Sequence, residues 1–222
     1  MRKIVCAGIL LVVSVFVFAT AGYANMYYDS PVPADLNDLD HSKAYYWGIS
    51  RNLAANEYIT SASISIKNIN DWAIESTDFL YMDLFQDALY GTGVKTFTDN
   101  EAAGDYFANN ISLFGTMNTL DIYSDTNEYR EKKWNKKHTK YKWGPWINPS
   151  EDYTYNFSAD EIQILANAMA DGNFAFGFDP DCHYNNCGIT FRFDTNVSTP
   201  EPATMSLLGL GLFGLLGFKR KK

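Results

Sequence analysis

The sequence contains few of the residues that carry enzyme chemistry and covalent cross-links. It has three histidines and three cysteines among 222 residues. It contains no Gly-x-Ser-x-Gly elbow, no His-Glu-x-x-His motif and no Gly-x-x-x-x-Gly-Lys-Ser/Thr phosphate-binding loop. These absences argue against motif-defined serine hydrolases, zinc proteases and nucleotide-binding enzymes, so we expect a non-enzymatic protein. Because a pair of carboxylates suffices for glycoside hydrolysis, a secreted hydrolase stays open as an alternative.

Positive charge is scarce in the central part of the chain. The sequence has 26 acidic and 18 basic residues, and six of the basic residues lie within the first three or the last four positions. All the acidic residues lie between residues 25 and 202. Because an acidic body repels phosphate backbones, general nucleic-acid binding is not expected.

The N-terminal residues have the composition of a secretory signal. Arg2 and Lys3 precede an apolar run at residues 4–18, which is short for a membrane span. Gly22 and Ala24 then place small side chains where signal peptidase requires them. We therefore predict a signal helix within a signal peptide at residues 1–24, cleaved after Ala24.

The C-terminal residues form three ordered elements. Pro200, Glu201 and Pro202 precede an uncharged stretch rich in glycine and leucine at about 203–218. A helix over this stretch is ~24 Å long, slightly shorter than the hydrocarbon core of a bilayer. The chain ends in four cations, which the positive-inside rule keeps in the cytoplasm: Lys219, Arg220, Lys221 and Lys222. The pattern predicts a C-terminal transmembrane helix with the body outside the cytoplasmic membrane.

This C-terminal pattern resembles the PEP-CTERM sorting signal. The resemblance implies processing by an exosortase near Pro200-Glu201-Pro202, after transient anchoring in the cytoplasmic membrane. It further implies that the body reaches the cell surface or the medium of a bacterium that makes exopolysaccharide. An ordinary tail anchor with a proline-containing linker is the alternative.

Apolar and polar residues alternate along much of the central chain. Ala62, Ile64 and Ile66 alternate with serines, and similar patterns occur at 79–85, 153–157, 174–178 and 189–193. Residues 68–71 have the composition of a turn. One helix is predicted, since Ser158 and Glu161 form a capping box before an apolar stripe that ends at Gly172.

These patterns predict a mainly β fold: an antiparallel β-sandwich of the jelly-roll type with one short helix. Residues 57–66, 78–84 and 178–189 also resemble the β-sandwich bodies of other PEP-CTERM proteins. The predicted domains are a lead-in segment at 25–41, the β-sandwich at 42–195, and a linker with the sorting signal at 196–222.

One segment between two predicted strands concentrates oxygen-bearing side chains. It contains Asp179, Asp181 and Asn185, and Asp40 in a distant acidic loop adds a further carboxylate. Because hard oxygen ligands suit Ca²⁺, the sequence predicts a structural calcium site formed by these four residues, with no other cofactor. In the alternative, these side chains hydrogen-bond the backbone of their own turns.

The same segment holds two cysteines, Cys182 and Cys187, which are the ones that remain once the signal peptide is removed. Their close spacing in an oxidising compartment predicts a local disulfide. A zinc site formed by both cysteines with His41 and His183 is the alternative.

The basic residues of the body are concentrated between residues 130 and 142, which hold seven basic residues and one acid. Lysines can contact polyanions, and aromatic rings can stack on sugars or bases. We predict that this loop or hairpin contacts acidic exopolysaccharide or extracellular DNA through eight residues: Lys132, Lys133, Trp134, Lys136, Lys137, Tyr141, Trp143 and Trp146. In the alternative, its lysines neutralise neighbouring acids of the same domain.

The sequence as a whole favours an exported structural or adhesive protein of the envelope or biofilm. Its expected partners are signal peptidase, an exosortase, the cytoplasmic membrane and exopolysaccharide. A carbohydrate-binding module for exopolysaccharide is the alternative function.

Overall fold

The computed structural model describes residues 24–72, 79–100, 102–126 and 129–198. The signal peptide predicted at residues 1–24, apart from Ala24, lies outside these ranges. So do the predicted transmembrane helix, the Pro200-Glu201-Pro202 motif and the basic tail at 219–222. Among the described residues, no helix combines the length and the apolar character needed to span a membrane.

The described chain folds into twelve strands and three helices. The first strands are β1 (Asn25–Asp29), β2 (Lys43–Ser50), β3 (Glu57–Asp71), β4 (Leu80–Phe85) and β5 (Gly93–Thr98). Helices α1 (Tyr106–Asn109) and α2 (Ile111–Phe114) precede β6 (Met117–Tyr123), β7 (Tyr129–Trp134), β8 (Tyr141–Ile147) and β9 (Glu151–Asn156). Helix α3 (Ala159–Ala168) and the strands β10 (Asn173–Pro180), β11 (Tyr184–Asn185) and β12 (Gly188–Val197) complete the chain.

Every pair of strands in the described residues is antiparallel. The first sheet has the order β1-β12-β3-β11, with β9 also paired to β3. The second sheet has the order β5-β2-β10-β4-β6, and β7 and β8 form a separate two-stranded hairpin. The predicted mainly β, antiparallel class is confirmed.

Strand β3 explains how the alternating pattern becomes one buried face. Ala62, Ile64 and Ile66 are buried, while Ser63 and Ser65 between them are partly exposed. A register shift opposite Asp194 and Thr195 lets Ile59 and Ala62 both remain buried, although they lie three positions apart in the chain. Residues 68–71, predicted as a turn, belong to β3, and its pairing with β9 is irregular between Ile66 and Ile69.

One hydrophobic core receives side chains from both five-stranded sheets. Phe174 and Phe176 of β10 belong to the second sheet, and Phe191 of β12 belongs to the first. The ring centroids of Phe176 and Phe191 are 4.8 Å apart, and those of Phe174 and Phe191 are 5.9 Å apart. Burying each such ring contributes about 1.5–3 kcal/mol, so this contact between the sheets stabilises the body.

A second aromatic cluster covers the opposite face of the second sheet. Tyr46 and Phe85 project from β2 and β4, while Phe107 and Phe114 come from α1 and α2. An added Cβ at Gly177 would lie 2.8 Å from the Phe107 ring, so the missing side chain lets α1 approach the sheet closely. The second sheet is therefore buried on both faces.

The helices and the lead-in segment differ in part from the sequence prediction. Helix α3 has the predicted capping box between Ser158 and Glu161, but it ends at Ala168, before Gly172. The one-turn helices α1 and α2 are additional to the one helix predicted. The lead-in segment contributes β1, which pairs with β12 at the edge of the first sheet.

Candidate functional sites

The predicted polyanion-binding segment forms the hairpin of β7 and β8. Trp134, Tyr141 and Trp143 are each about half exposed. The Lys132 Nζ lies 5.0 Å from the centroid of Tyr141 and 5.1 Å from that of Trp143. Because a cation held over a ring face is attracted by the ring quadrupole, these contacts order one lysine on an aromatic surface.

The loop of the hairpin presents two further predicted residues. Lys136 and Lys137 lie in the turn and are exposed. The turn is closed by backbone hydrogen bonds from the Asn135 and His138 N–H groups, and the Asn135 side chain accepts a hydrogen bond from the Thr139 N–H at 3.0 Å. The structure therefore places the lysines in an ordered turn. The Trp146 side chain lies outside the described part of the molecule.

Within the described residues, the lysines of the hairpin form no salt bridge. In the described part of the chain, the salt bridges join Lys43 to Asp40, Arg51 to Asp29 and Arg192 to Asp194. None of them involves a hairpin lysine. Ion pairing therefore does not support the alternative in which these lysines neutralise neighbouring acidic side chains of the same domain.

Among the described rings of the hairpin, those of Trp134, Tyr141 and Trp143 do not form a flat platform. The planes of Trp134 and Tyr141 are inclined by 58°, and those of Tyr141 and Trp143 by 84°. A planar sugar-stacking surface needs nearly parallel rings, whereas contact with a flexible polyanion does not. The geometry suits cationic contacts supported by ring edges and faces.

The four residues predicted to bind Ca²⁺ lie in three different surroundings, and only Asp179 and Asp181 lie together. Asp179 and Asp181 lie at the end of β10, and Asp181 contributes to the raised pKa of Asp179. Asn185 lies in β11, where it pairs with Asn70 of β3. Asp40 accepts hydrogen bonds from Ser42 and forms a 2.8 Å salt bridge with Lys43.

Asp40 instead lies beside two imidazoles. Asp40, His41 and His183 offer ligand atoms within 4.8 Å of one another, and all three residues are partly buried. The hydrogen bond from Lys43 holds the pKa of Asp40 well below its usual range. Two imidazoles and a carboxylate form a ligand set suited to a metal such as Zn²⁺, with Lys43 competing for the carboxylate.

The predicted disulfide between Cys182 and Cys187 is absent from the structure, which corrects the sequence interpretation. Cys182 is buried in the main core, and its Sγ lies 3.9 Å from the carbonyl oxygen of His183. Cys187 is exposed and its N–H donates to the carbonyl of Lys67. The short strand β11 lies between the two cysteines in the chain.

Three aspartates that the sequence prediction missed lie near Asp179 and Asp181. They are Asp83 on β4, Asp99 after β5 and Asp105 before α1. The five residues, named here the aspartate cluster, influence one another electrostatically. Burial is the main cause that raises the pKa of each, to about 8 for Asp83 and for Asp179.

The comparisons with known proteins identify the C-terminal segment. Residues 198–221 match the PEP-CTERM protein-sorting motif, as the sequence pattern predicted. No curated protein and no solved structure matches the chain. The motif implies an exported surface protein that is anchored in the membrane before processing by an exosortase. The chain thus carries a PEP-CTERM protein-sorting motif at residues 198–221.

Proposed function

We propose that this protein is a non-enzymatic structural or adhesive component of the bacterial envelope or biofilm matrix. The observation that carries the proposal is the PEP-CTERM protein-sorting motif at residues 198–221. A protein with this motif is delivered to the cell surface and acts there. Its body therefore needs a stable fold and a surface that contacts the matrix.

The proposed body is a jelly-roll-like β-sandwich formed by the two five-stranded sheets. Their shared core supports this arrangement. The Phe176 ring of the second sheet lies 4.8 Å from the ring of Phe191 in the first sheet and 6.3 Å from that of Phe157, which directly follows β9. Two sheets that face each other with interdigitating apolar side chains define a sandwich.

The proposed route has two processing steps. Signal peptidase cleaves after Ala24, and the stretch at 203–218 then holds the chain in the cytoplasmic membrane with the basic tail inside. The exosortase acts near Pro200-Glu201-Pro202 and delivers the body to the cell surface or the medium.

The proposed contact surface is the hairpin of β7 and β8. Its lysines carry positive charge on a chain whose net charge is −8, and they form no salt bridge within the described residues. Acidic exopolysaccharide is the matching partner, because a flexible polyanion can reach cations that project from an exposed hairpin.

The sorting step is tested by the intact mass and the cell fraction of the native protein, with and without exosortase activity. With the enzyme, we expect a chain that lacks residues 1–24 and the residues beyond about 200, found at the surface or in the medium. Without it, we expect a chain that ends at Lys222 in the membrane fraction.

Two variants make this experiment specific to the motif. Replacement of both Pro200 and Pro202 by alanine is expected to abolish the exosortase-dependent loss of mass. Pro149→Ala, in a loop before β9, serves as the control and should be processed normally. A wild-type chain that still ends at Lys222 in the presence of the enzyme would instead identify a plain tail anchor.

A carbohydrate-binding module is the second candidate, favoured by the exposed rings of Trp134, Tyr141 and Trp143. Such a module would bind neutral as well as acidic polysaccharide, since stacking on a sugar ring does not require charge. Binding of a neutral glucan that is lost in Trp134→Ala and unaffected by salt would favour this candidate.

A further inference from the structure

Two loops of the body connect one five-stranded sheet to the other. Residues 30–42 join β1 of the first sheet to β2 of the second, and residues 181–183 join β10 of the second sheet to β11 of the first. The Tyr184 N–H donates to the Leu39 carbonyl at 3.3 Å, next to the second loop. The Asn186 N–H donates to Asp38 Oδ1 at 3.2 Å, and its side-chain amide donates to the Asp35 carbonyl at 2.9 Å. These two segments, named here the crossing loops, therefore meet in the fold.

The first crossing loop is fixed to the main core directly before Asp40. Leu36 and Leu39 are each 0% exposed and belong to that core. All four residues from Leu36 to Leu39 have a positive φ, between 37° and 57°, although none of them is glycine. Such backbone persists only where the surrounding structure holds it, and it is concentrated at functional sites. The loop therefore presents the residues that follow it from a rigid base.

Three metal-binding side chains converge where the crossing loops meet. Asp40 and His41 come from the first loop and His183 from the second, and their ligand atoms all lie within 4.8 Å of one another. The rings of His41 and His183 are 6.5 Å apart between centroids and inclined by 77°. A tetrahedral Zn²⁺ with bonds of about 2.0–2.2 Å places its ligand atoms ~3.4 Å apart. Because all three residues are only partly buried, rotation of their side chains can close this difference.

Neighbouring groups orient two of these three residues. Asp40 Oδ1 accepts hydrogen bonds from the Ser42 N–H at 3.0 Å and the Ser42 hydroxyl at 2.9 Å, and Asp40 Oδ2 accepts one from Lys43 at 2.8 Å. A carboxylate has about four acceptor positions, so it can keep these bonds and also bind a metal. The His183 carbonyl accepts from the Trp72 N–H at 2.7 Å, and the Trp72 ring lies 5.6 Å from the imidazole. Outer partners of this kind orient metal ligands.

We propose that Asp40, His41 and His183 bind Zn²⁺ between the crossing loops, with water in the fourth position. Two imidazoles and a carboxylate are a ligand set that Zn²⁺ takes in proteins, whereas Ca²⁺ takes oxygen ligands. Within the described residues, neither Cys182 nor Cys187 belongs to the converging group, so this site differs from a zinc site built on the two cysteines. It goes beyond the proposed matrix function and does not depend on it.

Lys43 competes with the metal for the Asp40 carboxylate. Its side chain is 45% exposed, so the ammonium group can move into solvent when Zn²⁺ binds. A positive charge next to the site lowers the affinity for a cation. Lys43→Gln should therefore bind Zn²⁺ more tightly than the wild-type chain does. Weaker binding by this variant would contradict the role given to the carboxylate.

The site is tested on the untagged protein, isolated in detergent micelles from the membrane fraction and stripped with a chelator. Titration with Zn²⁺ in competition with a chromogenic chelator should show one ion bound per chain, which excess Ca²⁺ does not displace. The midpoint of thermal unfolding should rise by several degrees with Zn²⁺ and return after the chelator is added again. Co²⁺ in place of Zn²⁺ should give visible absorption bands without the near-ultraviolet band of a thiolate ligand.

Substitutions to asparagine identify the ligands. His41→Asn, His183→Asn and Asp40→Asn should each weaken Zn²⁺ binding at least about tenfold, since loss of even an outer-shell partner costs that much. His138→Asn is the matched control, because His138 is the third histidine of the chain and lies in the turn of the hairpin. Its φ is 53°, a conformation that asparagine tolerates, and this variant should bind as wild type does.

Thermal unfolding without metal shows whether each variant is folded. If one histidine variant does not fold, the other variant and the Co²⁺ spectrum of the wild-type protein still decide the question. The proposal is overturned if the wild-type protein binds no Zn²⁺, or if the Co²⁺ complex shows a thiolate band. Binding that survives the substitutions of His41 and His183, or that is lost equally in His138→Asn, would identify adventitious surface sites and overturn it as well.

Discussion

Glu57, the first residue of β3, links three strands through its buried carboxylate. It accepts hydrogen bonds from the Tyr27 hydroxyl at 2.9 Å and the Asn25 amide at 3.2 Å. The Ala54 N–H donates at 2.8 Å, and the Thr195 hydroxyl also donates. Burial raises the pKa of Glu57, but these hydrogen bonds together lower it to about 2.

The lowered pKa predicts how the stability changes with pH. Below its ordinary pKa of 4.5, the unfolded chain binds a proton at Glu57 that the folded chain does not yet bind. The contribution of Glu57 is therefore complete above pH 4.5 and is lost as the pH falls towards 2. Chemical unfolding over this pH range should detect the loss.

The Glu57→Gln variant provides the comparison. We expect it to unfold more easily by about 1–3 kcal/mol at neutral pH, the cost of disrupting buried hydrogen bonds to a charged group. Its stability should also depend less on pH between about 2 and 5. Glu131→Gln, on the exposed hairpin, is the control and should follow wild type. Equal pH profiles for Glu57→Gln and wild type would contradict this role.

The burial of individual aspartates could be predicted from the sequence only in part. The sequence prediction singled out Asp179 and Asp181 because they share a segment rich in oxygen-bearing side chains. It did not single out Asp83, because a polar residue in an alternating strand normally faces solvent. In the structure α1 covers that face, so the alternation at β4 places Asp83 in a second buried layer.

At the scale of elements, the hairpin of β7 and β8 combines lysines with exposed rings. Lys132 contacts Tyr141 and Trp143, whereas Lys136 and Lys137 project from the turn. Lysines that lie in a turn can reach a polyanion without a change of fold. In the proposed contact with acidic polysaccharide, we therefore assign the electrostatic part to the turn and the stacking part to the strands.

The turn lysines give a direct test of the polyanion contact. The double variant Lys136→Gln/Lys137→Gln should bind an acidic polysaccharide such as alginate about tenfold more weakly, with a smaller dependence on salt. Lys67→Gln/Lys95→Gln makes the same change in charge at exposed positions outside the hairpin and should bind almost as wild type does. Affinity measured at several salt concentrations distinguishes the two variants.

Two outcomes would contradict the electrostatic assignment. If both double variants lose affinity equally, the net charge of the protein rather than the hairpin governs binding. If the lysine variant binds normally while Trp134→Ala does not, the carbohydrate-binding candidate is favoured.

Local sequence signals predicted individual elements well. The capping box of Ser158 and Glu161 fixed the start of α3, because both hydrogen bonds lie within one turn. The alternation at 62–66 predicted the buried face of β3. Helices α1 and α2 gave no such signal, since each is a single turn whose position depends on the packing of Phe107 and Phe114 against the sheet.

At the scale of the whole molecule, the two ends of the body lie on neighbouring strands. Strand β1 begins at Asn25, directly after the predicted signal-peptidase site, and β12 ends at Val197, directly before the sorting motif. Asn25 pairs with Thr195 in the first sheet. Cleavage after Ala24 would therefore leave β1 intact, whereas cleavage several residues later would remove it.

One ring, that of Tyr27, attaches strand β1 to the rest of the first sheet. Tyr27 stacks on Phe193 with centroids 4.8 Å apart, and its hydroxyl donates to Glu57. Tyr27→Ala should lower the free energy of unfolding by about 1–3 kcal/mol, because it removes a stacked pair and a hydrogen bond. Chemical denaturation measures the change.

The adjacent tyrosine provides a matched control. Tyr28 is 57% exposed, and Tyr28→Ala should change the stability by no more than about 0.5 kcal/mol. Equal effects of the two substitutions would mean that β1 does not contribute to the stability of the body.

The sequence by itself determined the sorting motif, the mainly antiparallel β class, the helix α3 and the basic hairpin segment. Each of these depends on residues close together in the chain, whose composition or spacing carries the physical signal. A sorting motif is moreover a linear pattern, so its identification requires no folded structure.

Only the tertiary structure decided which carboxylates meet. The pairing of β4 with β10 and the fold of the segment before α1 bring Asp83 and Asp105 to Asp179, while Asn185 is held in β11. The same packing buries Cys182 and leaves Cys187 exposed, both as free cysteines, whereas their spacing had predicted a disulfide. Such contacts join residues that are distant in the sequence. The register of the strands and the burial of the aromatic rings together determine which of these residues meet.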